Sequence, residues 1–181
     1  MIFDSRGHLE ALGKLSRRAL LGSAAVAVLA SRAAAQQDAT DTAAVLEAAA
    51  CRILPSDDGP GAREAKVGRF IERQLAGELS GLRPAFEQLA RLLDLHARRV
   101  FHVPFAALTQ PDQDAVLGQL SRGALPARGF PQAELFRALH TLTLEGFLSD
   151  PAHGGNDGEI GWRAIGFAAP HLRKPGDPHG H

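Results

Sequence analysis

The densest cluster of side chains able to do chemistry lies near the C-terminus, where His153, Asn156, Asp157 and Glu159 fall within one short stretch. A histidine and two carboxylates are the parts of a metal site or of a general acid–base pair. The spacing does not place acidic residues at alternate positions, as a calcium-binding loop does. The same stretch carries Gly154, Gly155 and Gly158, which suit turns and positive φ. Three readings are open for it: a capped, glycine-shaped loop, a loop shaped to meet a partner, and a metal or catalytic loop. His171, His179 and His181 are too scattered to form a ligand set. His96 falls on an apolar helical seam and reads as a core or boundary histidine with a hydrogen-bond partner.

Cys51 is the only cysteine. Paired-cysteine redox motifs, haem attachment through two cysteines and iron–sulfur ligation are therefore excluded for this chain. Neither a Gly-x-Gly-x-x-Gly fingerprint nor a Gly-x-Ser-x-Gly elbow occurs. At about 100° per residue, Cys51 lies opposite the apolar stripe of its own helix, on the side of Glu47. In an exported chain an odd cysteine is either half of an intermolecular disulfide or a free thiol. Lys plus Arg and Asp plus Glu number 20 each, so the chain lacks the basic footprint of nucleic-acid binding.

The elements that must position these residues read as helices. Tyr is absent, Ala and Leu are abundant, and alternating Val, Ile and Thr patterns are missing. No repeat of solenoid length appears. The expected fold is all-α, a compact bundle of about five or six helices after an N-terminal signal segment. A first helix is predicted over 42–54, with Leu46, Ala49, Ala50 and Ile53 as its stripe. The turn cluster from Pro55 to Gly61 ends it. A second is predicted over 63–79 on Val67, Phe70, Ile71 and Leu75. A third is predicted over 82–100, its seam running through Phe86, Leu89, Leu93, His96 and Val100. Thr109 caps a fourth, which buries Val116, Leu117 and Leu120. The last long helix is predicted over 131–147, with Leu135, Leu139, Leu142 and Gly146 on one stripe and Phe136, Thr143 and Phe147 beside it. Asp150-Pro151 stops that helix. The polar loop follows, and then Trp162, Ile165 and Phe167; Trp162 and Phe167 read as core residues or, where exposed, as interface anchors. A glycine-rich loop framed by an apolar helix and an aromatic cluster is held in place, which makes it the expected working surface.

Residues 1–35 read as an address. Ser16-Arg17-Arg18-Ala19-Leu20-Leu21 precedes a short apolar run to Ala30, about half the length needed to span a bilayer. The pair Arg17 and Arg18 resembles a twin-arginine export signal, with Leu20 in place of its usual Phe; an ordinary secretory signal and a plain amphipathic helix are the alternatives. Ala33 and Ala35 before Gln36 suit a signal peptidase. Removing 1–35 leaves a mildly acidic chain with a formal charge of −3. The expected division is a signal over 1–35, an all-α domain over 36–173 and a disordered tail over 174–181. A twin-arginine signal on a small chain without a cofactor motif is a mismatch, because that route carries folded and often cofactor-loaded cargo.

Several stretches together resemble one family. Ile53-Leu54-Pro55-Ser56-Asp57-Asp58-Gly59-Pro60-Gly61, Phe105-x-x-Leu108-Thr109 and the block from Leu142 to Phe167 are similar to the gluconate 2-dehydrogenase subunit 3 family. That block holds Glu145-Gly146-Phe147, Asp150-Pro151, Gly154-Gly155-Asn156, Gly161-Trp162 and Ile165-Gly166-Phe167. The resemblance implies a small exported subunit without cofactor or active site of its own. Its implied partner is a large FAD-containing subunit of the glucose–methanol–choline type, often joined by a membrane-anchored multihaem cytochrome c carrying haem c. The small subunit would support folding of the large one and lend it a twin-arginine signal. Both would then be exported by the twin-arginine translocase and work in the periplasm. On this reading Cys51, His153, Gly154, Gly155, Asn156, Asp157, Trp162 and Phe167 form the candidate partner interface, and no residue is catalytic. The rival readings are a stand-alone periplasmic enzyme using the 153–159 loop, and an export chaperone that releases its client.

Overall fold

The protein is described here by a computed structural model covering residues 41–167. The signal, the cleavage site and the tail expected from 174 onward lie outside the described residues. Within them are six α-helices and no strand, as the composition implies.

Helix α1, Thr42–Ile53, starts where Asp41 accepts a hydrogen bond from the Ala44 N–H at 3.1 Å. Ala49 and Ala50 are fully buried and small enough for other helices to approach α1 closely. This helix is the centre of the bundle and touches all four other long helices. Its Ile53, expected in the stripe, is only half-buried. Helix α2, Val67–Ala76, is shorter at both ends than the periodicity predicts. Residues 63–66 form a separate turn that ends at Lys66 in the left-handed region, φ 55°. The break has a tertiary cause. The Ala65 carbonyl, which a continuous helix would give to Arg69, accepts from the Asp157 N–H at 3.2 Å. At the other end Gly77 closes α2 on the carbonyls of Arg73 and Gln74.

Helix α3, Arg83–Phe101, buries Phe86, Leu89, Ala90, Leu93 and Ala97. The seam stops there: Val100, expected inside, is 51 % exposed. His96 is half-buried, and its Nδ1 is enclosed without the partner expected for it. Asp94 is buried instead, held by Arg98 at 2.8 Å and by the Phe105 N–H at 3.0 Å. Helix α4, Gln110–Ser121, is capped by Thr109. Helix α5, Gln132–Leu148, buries the predicted stripe of Leu135, Leu139, Leu142 and Gly146 together with Thr143 and Phe147. Helix α6, Ile160–Ala164, is a short turn beyond the polar loop. Phe86, Phe105, Leu89, Leu93, Leu120 and Leu139 meet in one core. Each such side chain contributes about 1.5–3 kcal/mol by leaving water.

Candidate functional site

The stretch 149–167 is built onto the C-terminal end of α5. A helix end leaves its last carbonyls without partners, and here two side chains from the following loop satisfy them. Asn156, fully buried and left-handed at φ 46°, donates Nδ2 to the Ser149 carbonyl at 2.9 Å and accepts the Gly161 N–H on Oδ1 at 2.8 Å. The Trp162 indole donates Nε1 to the Leu148 carbonyl at 2.8 Å. Asp150 caps the turn Pro151–His153 by accepting the Ala152 N–H, and Arg73 of α2 donates to the Ala152 carbonyl at 3.0 Å. Asp157 pairs with Lys66 at 2.7 Å across the break before α2.

Two glycines are required by this closeness. A Cβ on Gly155 would stand 2.1 Å from the Gly146 carbonyl oxygen, and one on Gly161 would stand 1.9 Å from that of Phe147. The loop backbone therefore lies directly on the α5 backbone. Gly155 and Gly161 thus serve the chain's own packing.

The expected interface residues thus divide. Gly154, Gly155 and Asn156 are buried, and Trp162 is 7 % exposed. Asn156 offers nothing at a rim, and Trp162 is the core residue of its two readings. His153 and Asp157 are exposed beside them. Phe167 is 48 % exposed and stands edge-on to Trp162 with ring centroids 5.6 Å apart. Ile165, Leu144 and Leu148 are also exposed. Trp162 joins the two elements, with the Leu148 carbonyl at its indole nitrogen and Phe167 at its ring. These exposed aliphatic and aromatic side chains are carried on two elements that a closed set of hydrogen bonds joins. The aliphatic pair Leu144 and Leu148 was missed in the sequence. The spacing i, i+4 on the polar side of α5 was the available signal.

Cys51 sits elsewhere. Its thiol packs at the edge of the core rather than facing away from it. It also lines a cleft of about 470 Å³ with Arg63, Glu64, Pro55 and Gln113. Burial pushes the Cys51 thiol above its ordinary pKa of 9.0, partly opposed by Arg63. The thiol is thereby kept in its unreactive protonated form at neutral pH. Nearby, Glu64 accepts from the Ser56 hydroxyl at 2.5 Å and the Gly61 N–H at 2.9 Å, bonds that lower its pKa. Among the described residues no three His, Cys, Asp or Glu side chains converge as a metal site would need. No helix among them is long and apolar enough to cross a membrane.

The family model described as gluconate 2-dehydrogenase subunit 3 matches residues 40–170. No curated protein and no solved structure matches the chain. The match spans well over half of the sequence, and the chain belongs to the gluconate 2-dehydrogenase subunit 3 family.

Proposed function

From that membership we propose that this chain is the non-catalytic small subunit of a flavin-dependent dehydrogenase complex. It docks on a large FAD-containing subunit of the glucose–methanol–choline type. Docking uses the surface of Leu144, Leu148, Ile165 and Phe167, with His153 and Asp157 at its polar edge. The catalytic groups and FAD belong to the large subunit, and electrons leave through a membrane-anchored multihaem cytochrome c. The small subunit assists folding of the large one and carries it to the periplasm through Arg17 and Arg18.

The observation that carries the docking reading is the exposed Phe167 on its buried Trp162 support. An aromatic ring fixed in place before binding loses little freedom when a partner covers it. The polar loop, by contrast, spends Asn156 and Asp157 on internal bonds. That arrangement suits a positioned scaffold better than a reaction site.

The test is co-expression with the large flavoprotein subunit. Ile165→Asp with Phe167→Ser should leave the melting temperature of the isolated subunit within about 5 °C, since Ile165 is exposed and half-exposed Phe167 gives up only its edge contact with Trp162, about 0.5–1.5 kcal/mol. The same variant should lose co-purification, because an interface aromatic contributes about 2 kcal/mol or more. A variant that still holds the flavoprotein at the wild-type ratio would refute the assigned surface. Substrate turnover by the isolated small subunit would refute the non-catalytic role.

A further inference from the structure

We propose that residues 61–66 form a two-position strap that links the hydrogen-bonded clasp of residues 149–162 to the cleft at Cys51, so that opening one opens the other. The strap lies between them. On the cleft side the Ala62 N–H is held by the Leu54 carbonyl at 2.9 Å, where α1 ends. Glu64 accepts from the Ser56 hydroxyl, and the Arg63 guanidinium reaches the Cys51 thiol. On the clasp side the Ala65 carbonyl accepts the Asp157 N–H at 3.2 Å, and Lys66 pairs with the Asp157 carboxylate at 2.7 Å. Both sets of ties fall within one short run of chain, so neither side moves alone.

Two conformations compete for this run. In the bent one Lys66 stands in the left-handed region at φ 55°, which disfavours any residue with a Cβ. In the straight one α2 continues backward, Lys66 returns to the right-handed region, and the Ala65 carbonyl accepts from Arg69. The Arg69 N–H is already one residue from that bond, since it donates to the Lys66 carbonyl at 3.0 Å. Against straightening stand the exposed bond of Glu64 to Ser56 and the burial of Ala65. Ala65 is fully enclosed in the bent form and would turn to the side of exposed Arg69. These effects are individually small and of opposite sign. The bond and the ion pair from Asp157 therefore decide, and both favour the bent form. Asp157 follows Asn156, whose amide joins the loop to the end of α5.

Straightening carries Arg63 and Glu64 off Cys51 and Ser56, and so opens the wall of the cleft over the thiol. The coupling is reciprocal, as any linkage is. Ile165 and Phe167 ride on the same C-terminal stretch. A flavoprotein docked there would hold the strap bent and Cys51 covered; that consequence alone rests on the docking surface proposed above.

The test uses the isolated full chain, so it stands or falls apart from docking. Two rates are measured well below the melting temperature: modification of Cys51 by N-ethylmaleimide, followed by mass, and hydrogen exchange of the amides of 62–67. Asn156→Ala should raise both about tenfold, the equilibrium shift that corresponds to one left-handed residue. Lys66→Gly should do the reverse, because glycine accepts the left-handed region and disfavours a continued helix. Alone it should slow both rates. Added to Asn156→Ala it should return them to within about threefold of wild type, while Trp162 emission stays as in Asn156→Ala. Leu120→Ala, a buried change at the other end of α4 from the cleft, lowers overall stability without touching the strap. It should leave both rates within about threefold of wild type. Equal acceleration by Leu120→Ala would mean global unfolding and overturns the proposal. So does Asn156→Ala without acceleration, or Lys66→Gly without protection in either background.

Discussion

Asn156→Ala is the most informative single change, because one buried amide closes the clasp. The substitution strands the Gly161 N–H, which is buried, at a loss of about 1–3 kcal/mol. The Ser149 carbonyl is only part-buried and can turn to water, so its loss is about 0.5–1 kcal/mol. Alanine must also hold φ 46° and ψ 43°, a left-handed conformation that disfavours a Cβ by about 1–2 kcal/mol. The sum is about 2.5–6 kcal/mol. For a domain of this size that lowers the melting temperature by roughly 8–24 °C. The assay is thermal unfolding of the isolated subunit, followed by far-UV circular dichroism and by emission of Trp162, the only tryptophan. Asn156→Gly loses the same bonds but not the conformational freedom, and should recover about 1 kcal/mol relative to alanine. A drop below about 3 °C for Asn156→Ala would show that this amide does not hold the loop, and identical curves for Ala and Gly would remove the left-handed backbone from the account.

Two further outcomes are expected. Burial, with Arg99 as a smaller cause, holds the His96 pKa below 6.5. The fold thus favours neutral His96, and its contribution is present above 6.5 and lost as the pH falls through the lowered folded-state value. Melting temperature should therefore fall more steeply below about pH 6.5 for the wild type than for His96→Gln, and parallel pH curves would exclude the effect. Arg17→Lys with Arg18→Lys should leave both this chain and its flavoprotein in the cytoplasm when cell fractions are compared; a partner that still reaches the periplasm would show that it does not travel on this signal.

Apolar residues made most of the bundle legible. The stripe Leu135, Leu139, Leu142 and Gly146 faces the core as its spacing requires, and Thr109 caps the helix it precedes. What stayed hidden was decided by partners distant in sequence. Gln132 is buried because it bonds the N–H and carbonyl of Leu125, and Gln113 because it donates to the Phe105 carbonyl. No periodicity marks a polar side chain that satisfies a distant backbone group. Lys66 interrupts a good helical pattern because Asp157 takes a carbonyl from it. The loop at 153–159 was visible as a positioned element. That Asn156 points inward was not, since Asn in a glycine-rich stretch equally suits a solvent-facing turn.

The junction of Asp157 with Ala65 and Lys66 also sets an order of events. A chain is made from its N-terminus, and local contacts form before distant ones. Helices α1 to α5 can collapse on one another before residues 149–167 join them. The start of α2 and the end of α5 cannot, because their open carbonyls wait for Asp157, Asn156 and Trp162. A product truncated before position 150 would keep the helices but expose both unfinished ends. Completion of the fold is thereby coupled to the arrival of residues 149–162, and a fragment that lacks them remains distinguishable from the finished subunit.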